Sequence, residues 1–279
     1  MVIADKQTKD LLTSSKIGRY AINPYIGCPH ACKYCYASFM KRFTNHPEPW
    51  GEFLDVKRCD KKIDLRKIDG KNVFMSTATD CYNPYEAKYK ITRSILEQLI
   101  NSNCYLQIST KNKLILRDLD LLKRMKHISV AMSVNTLDEK FRHDMDKGST
   151  IAERLDTLRT FHENGIYTIL FMSPIFIYIT DWKAIINQTK DFISEYWFED
   201  LNLRGSYKPV IMRYIQENYP QYYDSYRRIY NEGNRLELMD MDREICAWCD
   251  TEHINYSAYF HHENVIKTEV DKILGKNNK

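Results

Sequence analysis

From residue 73 onward, short apolar runs alternate with longer stretches whose apolar positions recur every three or four residues. Val73-Phe74-Met75-Ser76 predicts a strand, followed by a helix over about residues 85–101. Tyr105-Leu106-Gln107-Ile108-Ser109 predicts the next strand, then a helix over residues 118–125. Residues 128–134 predict a third strand, and residues 151–164 an amphipathic helix that stops at Gly165, where a left-handed cap is favoured. Residues 167–172 are rich in β-formers and end at Ser173-Pro174, because proline interrupts a sheet ladder. A helix over residues 181–196 and a strand at Leu201-Asn202-Leu203 complete the series. Repeated strand–helix units imply parallel strands with right-handed crossovers. With one strand just before Cys28, this gives about six units: an α/β fold, a partial (β/α)6 TIM-like barrel of parallel strands.

The last forty or so residues break the pattern. Met239-Asp240-Met241-Asp242 opens a segment carrying cysteines and histidines, with the polar end Gly275-Lys276-Asn277-Asn278-Lys279. The expected organisation is therefore a barrel over residues 1–238 and a C-terminal cap over residues 239–279. The chain has 279 residues, 43% of them apolar, enough for one large core, and no apolar run nears the ~18 residues of a membrane span. The polar residues 1–16 predict neither export nor transit, and eight cysteines then point to the reducing cytoplasm. A net charge of +4 permits a nucleic-acid substrate without arguing for one. The tyrosines at 214, 219, 222, 223, 226 and 230 read as helix packing.

Chemistry concentrates in Gly27-Cys28-Pro29-His30-Ala31-Cys32-Lys33-Tyr34-Cys35-Tyr36. Three thiolates this close suit an iron–sulfur or zinc site rather than a hard cation. Closed sites of either kind take four protein ligands, so a local set of three leaves one metal position open. Barrel chemistry gathers at the carboxyl ends of strands. There the sequence offers Thr77, Thr79, Asp80 and Cys81, then Thr110 and Lys111, then Ser133 and Asn135.

The Cys-x3-Cys-x2-Cys spacing, with Tyr34 before the last cysteine, resembles the signature of the radical S-adenosylmethionine (SAM) enzymes. Over roughly residues 18–210 the likeness is closest to the spore photoproduct lyase-like branch, carried by residues 79–86, Thr92-Arg93, Thr110-Lys111 and Leu116-Arg117-Asp118. The resemblance implies a [4Fe–4S] cluster on Cys28, Cys32 and Cys35, with SAM on the open iron and a 5′-deoxyadenosyl radical as the product of its cleavage. It further implies SAM contacts from Thr79, Lys111, Ser133 and nearby Asn135, with Tyr34 and Tyr36 close to the adenosine. An external electron donor such as flavodoxin or ferredoxin is implied, and no membrane. The DNA-repair lyase has a hydrogen-donor cysteine where this chain has Thr77, which leaves the substrate open among nucleic acid, peptide and small molecule. A peptide- or RNA-modifying enzyme and a non-catalytic iron–sulfur or zinc module are the rival readings.

Cys81, Cys246 and Cys249 are the remaining hydrogen-donor candidates. The pair in Cys246-Ala247-Trp248-Cys249 could also hold an accessory metal, completed by His253, His261, Cys59 or Cys81, or act as a redox dithiol. A C-terminal lid over the barrel mouth would bring these thiols to the substrate. Cys104, opening a strand, reads as a core residue.

Overall fold

The computed structural model describes residues 1–260. Strands β1 (Val2–Gln7), β2 (Leu12–Ser14), β3 (Tyr20–Ile22) and β4 (Tyr25–Ile26) precede the cysteine loop, and β5 (Phe53–Arg58) follows it. Next come α1 (Leu65–Ile68), β6 (Asn72–Met75), α2 (Glu86–Tyr89), α3 (Ile91–Leu99), β7 (Tyr105–Thr110), α4 (Leu119–Leu122) and β8 (Ile128–Ser133). The chain continues through α5 (Glu139–Met145), α6 (Ile151–Glu163), β9 (Tyr167–Ile175), α7 (Trp182–Thr189) and β10 (Glu195–Asp200). It closes with α8 (Lys208–Asn218), α9 (Tyr223–Tyr230), α10 (Leu236–Thr251) and β11 (Tyr256–Ala258).

The main sheet has the order β11-β10-β9-β8-β7-β6-β3-β2. All its pairings are parallel except β2 with β3. It is the expected α/β partial barrel, left open between β2 and β11. A smaller sheet, β1-β5-β4, braces the segment that carries the cysteines. No described helix is long and apolar enough to cross a membrane.

Four local expectations change. The helix expected over residues 85–101 is broken at Lys90, which has φ +53°. The carboxylate of Glu86 accepts from the backbone N–H of Thr92 (3.0 Å) and Arg93 (3.3 Å), so it starts a second helix instead of extending the first. The helix expected at residues 118–125 is a 3₁₀ turn over Lys113–Asp118 followed by the short α4. Strand β9 runs through a cis Ser173–Pro174 bond to Ile175 rather than stopping before it.

The fourth change is the largest. Residues 195–200 are strand β10, not the end of a helix, and the strand expected at residues 201–203 is absent. Tyr196, Phe198 and Asp200 are buried, whereas Glu195, Trp197 and Glu199 line the other face. This is the period-two pattern of a strand, built from aromatic β-formers. The tyrosine-rich helices do pack as expected: Tyr214 and Tyr226 are buried and Tyr219, Tyr222, Tyr223 and Tyr230 lie against the core. At the C-terminus, α10 crosses the expected boundary at residue 238, and β11 joins the sheet beside β10 with Tyr196 opposite Tyr256. The described part of this segment extends the barrel wall instead of folding over its mouth.

Candidate active site

The loop bearing Cys28, Cys32 and Cys35 leaves β4 through Gly27, at φ +82°. A Cβ there would stand 2.3 Å from the Phe53 carbonyl oxygen, so the turn requires glycine. Ala31 N–H donates to the Cys28 carbonyl (3.1 Å) and Cys35 N–H to that of Cys32 (3.1 Å), which folds the loop on itself. Two further main-chain bonds dock it on the turn after α5. Lys33 N–H donates to the Met145 carbonyl (2.9 Å), and Lys147 N–H to that of His30 (2.8 Å). Asn23 joins the approach to the end of β6, donating to Thr77 Oγ1 (2.8 Å) and accepting from Ala78 N–H (3.0 Å). The three cysteines are thereby held at the carboxyl ends of the parallel strands.

All three thiols are free and resist ionisation. Burial, the Asp80 carboxylate and Cys35 push Cys28 up to about 12. Burial, Asp146 and the other two cysteines also raise Cys32 well above its ordinary value, against the pull of Lys111, and burial dominates at Cys35. The thiols are thus close enough to oppose one another's negative charge. Yet no three His, Cys, Asp or Glu side chains among the described residues converge tightly enough for a single ion. Three soft thiol donors on one short loop fit an iron–sulfur cluster, which takes cysteine thiolates as its ligands. Two buried polar atoms near the loop also await partners: Thr79 Oγ1 and Trp50 Nε1 meet no hydrogen-bonding group. The donor set and these orphaned atoms fit a cluster with a polar ligand beside it.

Two ionic groups flank the thiols. Asp80, after β6, accepts from Thr110 Oγ1 (2.8 Å) and from the backbone N–H of Tyr82 and Lys111 (2.8 Å each), and lies 3.0 Å from His30 Nε2. Burial opposes its charge, but His30 and these donors outweigh it and hold its carboxyl below the usual range. On the other side, Asp146 is ion-paired with the buried Arg154 and lies 3.8 Å from Lys111 Nζ. Lys111 also donates to the Tyr34 hydroxyl (3.1 Å), which donates to Asp146 (3.2 Å). Arg154 continues to the carbonyls of Ser133 (3.0 Å) and Ser149 (2.8 Å). Tyr34, Lys111 and Ser133 are thus united in one network with Asp146 at its centre.

Burial works against the charge on Asp146, yet Lys111 and Arg154 prevail and set its pKa at about 2. Its folded value is depressed, so the stability it contributes is complete above about pH 4 and is lost as pH falls toward 2. Urea titrations of the metal-free protein are expected to show about 2 kcal/mol of such loss between pH 5 and pH 2. An Asp146→Asn variant, less stable at neutral pH, lacks that slope; equal slopes would remove the assignment.

The other expected residues are more dispersed. The Tyr36 hydroxyl donates to the Thr77 carbonyl while the residue stays 56% exposed. The Asn135 amide donates to the Pro174 carbonyl (2.9 Å), tying β8 to β9. Cys81 is wholly buried in the core; its carbonyl accepts from Thr92 Oγ1 (2.7 Å). Cys246 and Cys249 lie on α10, where Trp248 packs edge-on against Trp182 of α7 at 5.4 Å. The Cys249 carbonyl accepts from Ile254 N–H (2.9 Å), just before β11, which puts the pair near the amino ends of the strands. The structure therefore separates these two cysteines from the loop, because α10 runs back down the outside of the sheet. His261 and His262 lie outside the described residues.

Sequence reasoning did not single out His30, Trp50, Asp146, Arg154 or Glu199. His30 had a signal in its place between two cysteines, and Glu199 is a carboxylate beside Ser173, which donates to it. The segments 82–86, 92–93 and 116–118 form a lattice among themselves. Arg117 bridges Glu86 and Asp118 (2.7 Å each), Arg93 holds Asp118 (2.8 Å), and Tyr82 donates to Asp118 (3.1 Å). They brace the helices behind the site.

The sequence model of the radical SAM superfamily matches residues 22–187. An uncharacterized protein of Methanocaldococcus jannaschii is 40% identical over 208 residues, 74% of this chain and 78% of that one. Among solved structures, spore photoproduct lyase complexed with dinucleoside spore photoproduct superposes with a TM-score of 0.56 at 18% identity. The match covers 78% of this chain and 66% of the lyase. Streptococcus suis SuiB bound to S-adenosylmethionine gives 0.54 at 15% identity, over 86% of this chain and 49% of SuiB. The chain thus spans about two thirds of the lyase and half of SuiB, and at these identities the likeness is one of fold.

Proposed function

Since the chain belongs to the radical SAM superfamily, we propose that Cys28, Cys32 and Cys35 hold a [4Fe–4S] cluster whose open iron binds SAM. When bound, this pair supplies reductive cleavage of the sulfonium to a 5′-deoxyadenosyl radical, which takes hydrogen from a substrate C–H bond. The protein's part is orientation and shielding. Thr79, with its buried and unpartnered hydroxyl, offers a hydrogen bond to the amino-acid end of SAM. Lys111 supplies positive charge beside Cys32, and the half-exposed Tyr36 offers its ring to the adenosine. Ser133 is fixed through its carbonyl by Arg154, which orders the end of β8 on the same side.

The observation that carries this reading is the trio of mutually opposed thiols docked at the carboxyl ends of the strands. The substrate is a further matter. Thr77 has a strong O–H bond and its Oγ1 already accepts from Asn23, so hydrogen return from this position, as by a cysteine, is not available. A reaction other than thymine-dimer repair is therefore favoured. The test is anaerobic reconstitution with iron and sulfide, then SAM and dithionite. The expected product is 5′-deoxyadenosine, formed even without substrate; an iron-loaded protein that makes none is a binding module instead.

A further inference from the structure

The 3₁₀ helix Tyr36–Phe43 leaves the cysteine loop directly: Cys35 is its N-cap, and Ser38 N–H donates to the Cys35 carbonyl (3.2 Å). Three residues per turn put positions three apart on one face. Ala37 is buried and Met40 half-buried on the inner side, whereas Phe39 and Arg42 face outward with Phe43 beside them. Phe39 is 49% exposed and Phe43 63%. Adjacent large rings left in water mark an interaction site more than a packing residue. Arg42 lies over both rings, 5.3 Å from the Phe39 centroid and 4.6 Å from that of Phe43, and the rings meet edge-on at 6.4 Å. The unit is a small apolar platform topped by a guanidinium. From Asn23 to Pro47 the chain carries Lys33, Lys41 and Arg42 and no aspartate or glutamate. Glu48, the next carboxylate, is engaged by His46 (3.1 Å).

We propose that Phe39, Arg42 and Phe43 form the docking surface for an acidic protein that delivers single electrons to the cluster. The proposal rests on the function given above, in which SAM is cleaved reductively. In each transfer the carrier is oxidised by one electron and the cluster reduced by one, with no proton moved and no covalent bond made or broken. Place and chemistry both favour this occupant. At about 2 Å of rise per residue, Phe39 stands about 8 Å along the helix from Cys35, so a partner seated there has a short path to a cluster ligand. Carboxylates of an acidic partner pair with Arg42 while its apolar surface covers the two rings. Arginine and aromatic side chains are the types that carry most binding energy at protein interfaces. Single-stranded nucleic acid fits less well, because base stacking needs open ring faces and Arg42 already occupies one face of each ring.

The experiment compares two electron sources for the reconstituted full-length protein: dithionite, which is small and needs no docking surface, and a reduced flavodoxin at limiting concentration. The variants are Phe43→Ser and Arg42→Glu, both at exposed positions, with iron and sulfide content measured in each. With dithionite, both should form 5′-deoxyadenosine at the wild-type rate. With flavodoxin, both should fall at least about tenfold, and the wild-type rate should decline with added salt. Equal flavodoxin-driven rates in wild type and variants would overturn the proposal, as would a parallel loss with both sources. So would variants that lose binding of single-stranded RNA or DNA, or pass from dimer to monomer, while the flavodoxin-driven rate holds. A wild type that cleaves SAM with dithionite but takes no electrons from flavodoxin or from a ferredoxin overturns the docking surface alone. One that makes no 5′-deoxyadenosine with dithionite overturns the function itself.

Discussion

Cys32→Ala, reconstituted beside the wild type, is expected to emerge without the brown cluster absorbance and to give no 5′-deoxyadenosine above background. Cys32 is held from both sides: Lys33 N–H anchors the loop to Met145, and Cys35 N–H closes the turn on the Cys32 carbonyl. The cysteines outside the loop are engaged elsewhere: Cys81 is buried in the core, Cys246 and Cys249 lie on α10, Cys59 Sγ donates to the Lys61 carbonyl (3.5 Å), and Cys104 lies 3.1 Å from Ser102 Oγ at the start of β7. The matching controls, Cys104→Ala and Cys249→Ala, should keep both absorbance and product. Full absorbance in Cys32→Ala, or its loss in the controls, would mean that the ligands lie elsewhere.

The second large effect is structural. Arg154→Met is expected to cost about 3–5 kcal/mol of stability, because it leaves Asp146 buried without its closest cation. Lys111 remains at 3.8 Å but is shared with the Tyr34 hydroxyl. The carbonyls of Ser133 and Ser149 lose their donor in the same step. Urea unfolding of the metal-free protein measures the loss. The double variant Asp146→Asn/Arg154→Met should recover part of it, since removing both charges is less costly than stranding one. A loss below about 1 kcal/mol in the single variant would show that water reaches Asp146 and supports its charge.

The alternation of strands and helices was legible because each element carries its own period of apolar residues. Where that failed, longer-range contacts decided. Residues 195–200 follow α7 closely in sequence and become a strand because Trp197 packs on Phe171 of β9 (5.6 Å) and Tyr259 beyond β11 (5.7 Å). The break at Lys90 is imposed by the Glu86 carboxylate, which is itself held from afar by Tyr25 and Arg117. The site divides in the same way. The cysteine spacing is a short-range signal that survives in any sequence. Asp146, by contrast, meets Tyr34 across 112 positions, and only the folded sheet shows that it sits beside Cys32. For Cys246 and Cys249 the spacing resembled a metal half-site, but a helix sets them on its own flank near the wrong end of the barrel.

The docking of the cysteine loop through main-chain groups has a consequence for how this chain can diverge. Lys33 and Lys147 contribute only their backbone N–H groups to the two bonds; the Lys33 ammonium lies over the Tyr214 ring at 5.3 Å, whereas the Lys147 side chain is exposed. Selection at position 147 therefore has little to read beyond the presence of an amide hydrogen. That lysine can drift to almost any residue during descent, and proline, which lacks the hydrogen, is the one replacement the loop cannot absorb.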